Sequence, residues 1–258
     1  MMSLTSYLQT FEQLNPNSFF SNGIVVSEKK KFIYMKSCRT GGTSILRGVL
    51  EKRVKGIIHK KNHPTAFEKW FVTISDEQLK KYFKFCFVRN PWDRLVSVAF
   101  YCIKEAKYMD CLNHIFPGTN DADSFGKFVH NYNEIINVPT FLSAMIKHHS
   151  LPCSVYTHCE GVKFVDFIGR FENLQNDFDV VCDKIGLKKQ ELPWKAKTAH
   201  KPYWEYYNNE TRDIVTQMYK KDIEYFGYKF GDLPAYLHAH YLRVGALGEE
   251  YAKKINTV

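Results

Sequence analysis

"KFIYMKSCRTGGTSIL", Lys31–Leu46, is the stretch whose reading decides the fold. Phe32–Met35 is a short apolar run, as in a buried strand. A turn rich in Ser, Thr and Gly follows, and then a helix opening at Thr43-Ser44. Strand, small-residue loop and helix in that order form a cradle for phosphate or sulfate. The first amides of a helix have no partner in the helix, and its N-terminus carries about half a positive charge. Gly41 and Gly42 let the backbone approach a bound group, Thr43 and Ser44 add hydroxyls, and Arg39 adds a fixed cation. The magnesium-triphosphate loop would need a Lys before the Thr-Ser pair, and this chain has Gly there. No metal-binding Asp stands at a strand end, so no metal is expected. A Gly-rich turn with no ligand is the plain alternative.

Moving outward, a second strand-to-helix unit appears in "FKFCFVRNPWDRLVSVAFY", Phe83–Tyr101. Tyr82–Val88 is aromatic and apolar enough for a central strand. Asn90-Pro91-Trp92-Asp93 is a helix start, with Asn at the cap and Pro in the first turn. Leu95, Val98, Cys102, Ile103 and Ala106 continue that helix. Arg89 ends the strand, and Ser97, about two turns beyond Asn90, faces the side of the cap. A guanidinium and a hydroxyl beside a helix start make a second anion site. Alternatively, Arg89 pairs with a local carboxylate and Ser97 is an ordinary helix residue.

The rest of the 258-residue chain fits one α/β domain with a mainly parallel central sheet flanked by helices. Gly23–Val26 and Phe32–Met35 read as paired strands, and Thr43–Lys52 as a helix. Ser124–Tyr132 reads as helical, Val162–Ile168 as a strand, and Leu174–Ile185 as a helix stopped by Gly186. A last long helix is expected from Asn208 to Phe226. Residues 1–22 read as an N-terminal segment, 23–230 as the domain, and 231–258 as a C-terminal helical extension. The segment 109–160 has no clear periodicity.

The formal charge is +9, which favours anionic partners. Seven cysteines are scattered without a C-x-x-C pair, as in a reducing compartment rather than a zinc site or a disulfide framework. No signal-peptide pattern and no membrane-length apolar run is present. A soluble, cytoplasmic protein is expected, with no membrane span; the oligomeric state is not legible.

CRTGGTSI resembles the 5′-phosphosulfate loop of the sulfotransferases, and VRNPWDRLVSVAF resembles their 3′-phosphate motif. VDFIGRFENLQNDFDVVCDKIG and the segment ending KKDIEYFGYKF are similar to the same family, in order from Gly23 to Phe230. The likeness is to the carbohydrate-type branch, with bacterial relatives of the heparan and chondroitin sulfotransferases. It implies a P-loop-like sulfotransferase fold. It also implies metal-independent transfer of a sulfuryl group from 3′-phosphoadenosine 5′-phosphosulfate (PAPS) to a hydroxyl of an acceptor, a carbohydrate and by charge an acidic glycan. By the same resemblance Arg39, Thr40, Gly41, Gly42, Thr43 and Ser44 hold the 5′-phosphosulfate, and Arg89 and Ser97 hold the 3′-phosphate. Arg170 and Lys201 are further donor contacts. Many carbohydrate-type members carry Lys where this chain has Arg39, which stays charged and cannot supply a proton. Lys36 is near, but its register places it too early in the motif. The acceptor proton needs a general base: His63 is chosen, His59 is the runner-up, and an acidic residue is a further alternative. Tyr203 and Trp204 are expected to pack rather than stack on adenine. The competing readings are a P-loop-type small-metabolite kinase, a PAPS-binding pseudoenzyme and a nucleic-acid module. Dispersed lysines without a basic arm argue against nucleic acid.

Overall fold

The computed structural model describes residues 23–59, 62–106, 121–193 and 201–232. The expected N-terminal segment, and all of the expected C-terminal extension but its first residues, lie outside them. The chain divides into two compact units. One comprises Met1–Val88, Leu151–Arg170 and Leu174–Lys197; the other comprises Arg89–Ser150, Phe171–Asn173 and Thr198–Val258. The chain passes between them repeatedly, so neither is a continuous stretch of sequence.

The first unit is built on a five-stranded sheet. Its strands are β1 (Ile24–Ser27), β2 (Phe32–Met35), β3 (Ile57–His59), β4 (Phe83–Val88) and, after the hairpin pair β5 (His158–Cys159) and β6 (Val162–Lys163), β7 (Phe167–Arg170). The order is β3-β1-β2-β4-β7. β1 runs antiparallel to both its neighbours, whereas β2, β4 and β7 are parallel, so four of the five strands point one way. The expected mainly parallel sheet is therefore present.

Both faces of this sheet are covered, which is why FIYM and FKFCFV show little polar alternation. Phe32, Tyr34, Phe85 and Phe87 lie on one face with Ile45, Leu46, Val49 and Leu50 of the first helical stretch and with Phe178, Val181 and Ile185. Ile33, Met35 and Cys86 point the other way, toward Phe67, Trp70, Leu79 and Tyr82. Lys84, the polar exception in β4, is satisfied: its ammonium meets Asp166 at 2.8 Å and the Tyr82 carbonyl at 2.9 Å.

Two expected elements are divided. The strand read over Val162–Ile168 is two strands in two sheets. The Phe164 amide bonds to the Thr157 carbonyl, while the Asp166 amide bonds to that of Lys84. The backbone changes partners between them, so it cannot be one strand. The long helix over Asn208–Phe226 is Asn209–Met218 followed by Lys220–Phe226. It breaks at Tyr219, which leaves helical geometry with φ −113° and ψ 25° and is buried with its hydroxyl donating to the Ser150 carbonyl at 2.7 Å.

The second unit is helical. Its longest helix, Pro91–Ala106, starts as its sequence requires: the Asn90 Oδ1 accepts from the Trp92 and Asp93 amides. Helices Ala122–His130, Tyr132–Asn137 and Phe141–Ser150 follow. Arg94 is fully buried and donates to the His149 and Ser150 carbonyls at the C-terminal end of Phe141–Ser150. Positive charge belongs at that end of a helix dipole. Tyr203 and Trp204 are buried, with Tyr203 edge-on to Trp204 and Phe230, the packing role expected for them.

Candidate active site

The loop leaving β2 holds its own shape. Ser37 Oγ donates to the Phe87 carbonyl at 2.5 Å, and the Thr40 hydroxyl lies 3.0 Å from Ser37 Oγ and 3.1 Å from the Ser37 carbonyl. Each hydroxyl has one proton, so both are used inside the loop. Thr40, expected as a ligand contact, is buried and can offer a ligand only its backbone. Arg39 has φ +63° and Gly41 φ +82°. A non-glycine residue in the left-handed region costs about 1–2 kcal/mol, and such strain gathers at functional loops. At Gly41 a Cβ would stand 2.6 Å from Leu174 Cδ2, so the position excludes a side chain for two reasons.

The helical stretch then runs as Gly42–Ile45, a π segment Leu46–Leu50 and Glu51–Arg53. Single π turns inside α-helices are frequent at functional sites. The first turn contains no acidic residue. Lys36 and Arg39 are half-buried. This end of the stretch is therefore positive and unneutralised by any carboxylate of its own first turn. The side chain of Lys36 crosses Gly42: a Cβ built there would meet Lys36 Cε at 2.9 Å and Cγ at 3.0 Å.

In the same unit, the expected base and its runner-up are neighbours. The His59 and His63 rings meet edge to face at 5.1 Å. His59, at the end of β3, is fully buried, whereas His63 is exposed immediately before Pro64 and the helix Pro64–Thr73. The Asn62 amide donates to His59 Nδ1 at 3.3 Å, and Nε2 lies 3.2 Å from Glu51 Oε1. Since Nδ1 accepts, the neutral ring carries its proton on Nε2 and donates it to Glu51. Burial lowers the pKa of His59; the Glu51 hydrogen bond works the other way, and His63 and Lys36 lower it further. A neutral, occupied His59 leaves His63 as the histidine open to an acceptor. Glu51 was not singled out from sequence, because eight residues across a helix end and a strand carry no recognisable spacing.

The Arg89 segment belongs to the second unit. Arg89 Nε donates to Asp93 at 2.8 Å, and its guanidinium lies 4.2 Å over the Phe171 ring. Arg89, Asp93 and Ser97 are all buried. Arg89 is thus partnered by the carboxylate one turn along, the plain alternative read from sequence, and Ser97 is no surface residue. Glu172 takes the Asn90 amide at 2.6 Å and the Tyr228 hydroxyl at 3.0 Å. Burial raises its pKa, and hydrogen bonds from the Asn90 amide and from its own amide oppose that.

Arg170 is exposed where β7 ends, and its amide donates to Asp177 at 2.6 Å. Lys201 is exposed, with its amide donating to Tyr206 Oη. The first unit thus assembles Lys36, the 37–44 loop and the Glu51–His59–His63 cluster.

A family model described as "Sulfotransferase family" matches residues 17–229. An uncharacterized protein of Archaeoglobus fulgidus is 30% identical over 120 residues, spanning 46% of this chain and 78% of that protein. No solved structure matches.

Proposed function

Because this chain belongs to the sulfotransferase family, for which sulfuryl transfer is the common chemistry, we propose that it takes the group from PAPS and delivers it to a hydroxyl of a carbohydrate. The observation that carries this reading is the loop after β2. It combines two half-buried cations, a strained backbone and a helix start without acidic residues.

In this reading Arg39, the Thr40 backbone and Gly41–Ser44 hold the 5′-phosphosulfate, while Arg89 and Ser97 hold the 3′-phosphate. Arg170 and Lys201 are further donor contacts. PAPS supplies an activated S–O bond. The acceptor oxygen forms a bond to sulfur as the bond from sulfur to the phosphate oxygen breaks, and the electron pair stays on that phosphate. His63 takes the acceptor proton. Glu51 and His59 fix the ring beside it, since a carboxylate-held imidazole cannot turn. The +9 charge supports an acidic glycan as acceptor. The six described cysteines form no disulfide with one another, which supports a reducing, cytoplasmic setting. Among the described residues no helix is long and apolar enough to cross a membrane, and no three-residue His, Cys, Asp or Glu group is arranged for a metal.

The test is calorimetric titration of the protein with 3′,5′-ADP in the absence of magnesium, followed by transfer of labelled sulfate from PAPS to a panel of glycans. Magnesium-independent binding and a labelled glycan are expected. Absence of 3′,5′-ADP binding, with magnesium-dependent ATP turnover in its place, would overturn the reading in favour of a kinase.

A further inference from the structure

We propose that Lys36 is a second cation of the transfer site, meeting the charge that grows on the oxygen leaving sulfur. The inference rests on the sulfuryl-transfer reading above and adds a residue to it. Lys36 lies where such a cation is needed. Its side chain crosses Gly42, with Cε 2.9 Å and Cγ 3.0 Å from a Cβ built there. Gly42 opens the helical stretch whose first amides face an incoming anion. Gly42 is therefore needed twice over, for the approach of the anion and for the passage of Lys36.

A second, independent feature marks the same point. Tyr34 lies on β2 two residues before Lys36, which follows the end of that strand, and both side chains reach Gly42. Its ring is stacked on Phe85 at 4.8 Å and is fully buried. Its hydroxyl makes no hydrogen bond among the described residues, and it would stand 3.2 Å from the same Cβ at Gly42. Burial raises its pKa well above the ordinary tyrosine value, so the hydroxyl keeps its proton as a donor. A buried donor without a partner is uncommon, and this one is aimed at the glycine over which Lys36 lies. Lys36 is also the least of the causes that lower the pKa of His59, after burial and His63.

The role follows from charge: when the S–O bond to the phosphate breaks, the electron pair remains on a phosphate oxygen, and a cationic side chain beside it acts as a hydrogen-bonding charge. The two cations differ in form: Arg39 is a rigid fork, and Lys36 is a point charge with three rotatable donors on a flexible stem.

The test compares the wild-type protein with Lys36→Met, Lys36→Gln and Lys36→Arg. Lys36→Met keeps a stem over Gly42 without charge, Lys36→Gln does the same with a polar end, and Lys36→Arg restores the charge. Each is titrated with 3′,5′-ADP and with pyrophosphate, and its thermal unfolding is recorded. Loss of one charge-assisted hydrogen bond corresponds to about tenfold or more in Kd. Lys36→Met and Lys36→Gln are expected to weaken both probes by that amount, with an unfolding midpoint near wild type, and Lys36→Arg to recover most of the loss. Wild-type affinity in both uncharged variants, or a loss that Lys36→Arg does not recover, overturns the role of Lys36 and leaves the donor reading standing. If the wild type binds pyrophosphate but not 3′,5′-ADP, the donor reading falls, and the pyrophosphate series alone decides Lys36. If the wild type binds neither, both fall.

Discussion

Lys36–Ser44 and Arg89–Ser97 each follow a parallel strand, and each brings a cation to a helix start, but they treat that cation in opposite ways. In the first, Lys36 and Arg39 are half-buried, the first helical turn has no acid, the loop is held by the Ser37 and Thr40 hydroxyls, and the backbone is strained at Arg39. In the second, the cation is buried, bonded to Asp93 and laid on Phe171. The first segment separates shape from charge; the second uses its charge to keep its shape. Removing the buried, carboxylate-bound charge of the second segment should therefore cost more stability than removing the half-buried one of the first.

Four measurements test that contrast. The largest effect belongs to Arg89→Ala. It strips a buried carboxylate of its partner, and Asp93 Oδ1 is already without a hydrogen bond among the described residues. A loss of about 3–5 kcal/mol in denaturant unfolding is expected; a loss below about 1 kcal/mol would break the contrast. Arg39→Ala should do the reverse. Sulfate transfer falls by about 10² or more, the cost of one donor aimed at developing charge, while the unfolding midpoint stays near wild type. A variant that unfolds early would show that Arg39, too, is structural.

Gly41→Ala sharpens the loop side. The new methyl group meets Leu174 and is held at positive φ. The expected loss is about 1–3 kcal/mol, whereas Gly56→Ala, where nothing lies within 4 Å and only the positive φ is at issue, should lose less. The smallest effect is on pH. The His59 pKa is lowered in the fold, chiefly by burial. The unfolded chain then binds the proton more readily, so the contribution is whole above the ordinary value of about 6.5. It is lost as pH falls through that value toward the folded one. His59→Gln should flatten the fall in unfolding free energy between pH 7 and pH 5; an unchanged slope would place the titrating group elsewhere.

Much of the architecture was legible along the chain. The strands around the loop, the helix start at Asn90 and the stop at Gly186 follow from local chemistry: apolar runs, a capping Asn before Pro, a glycine after the last apolar position. The boundaries that were misread are those where tertiary contacts intervene. Nothing local to Phe164 and Asp166 says that their amides bond to different strands. Tyr219 has no helix-breaking chemistry of its own and leaves the helix beside a bond to the distant Ser150 carbonyl. Short elements were not separable either: β3 has three residues, too few for a periodicity.

The site was legible in the same uneven way. Arg39, Gly41, Gly42 and Arg89 stand out because their types recur in anion-binding turns. Glu51 and Lys36 do not, because their importance lies in what they touch.

Taken alone, the order of residues determined the fold class, the anion loop and the candidates for cation and base, since glycine, a cap and an apolar run act over a few neighbours. Tertiary structure decided what each of those candidates touches. It locked His59 to Glu51 and left His63 open, it confined the Thr40 hydroxyl and paired Arg89 with Asp93, and it laid Lys36 across Gly42. The physical reason is that burial and partnership depend on groups brought together by folding, whatever their separation along the chain.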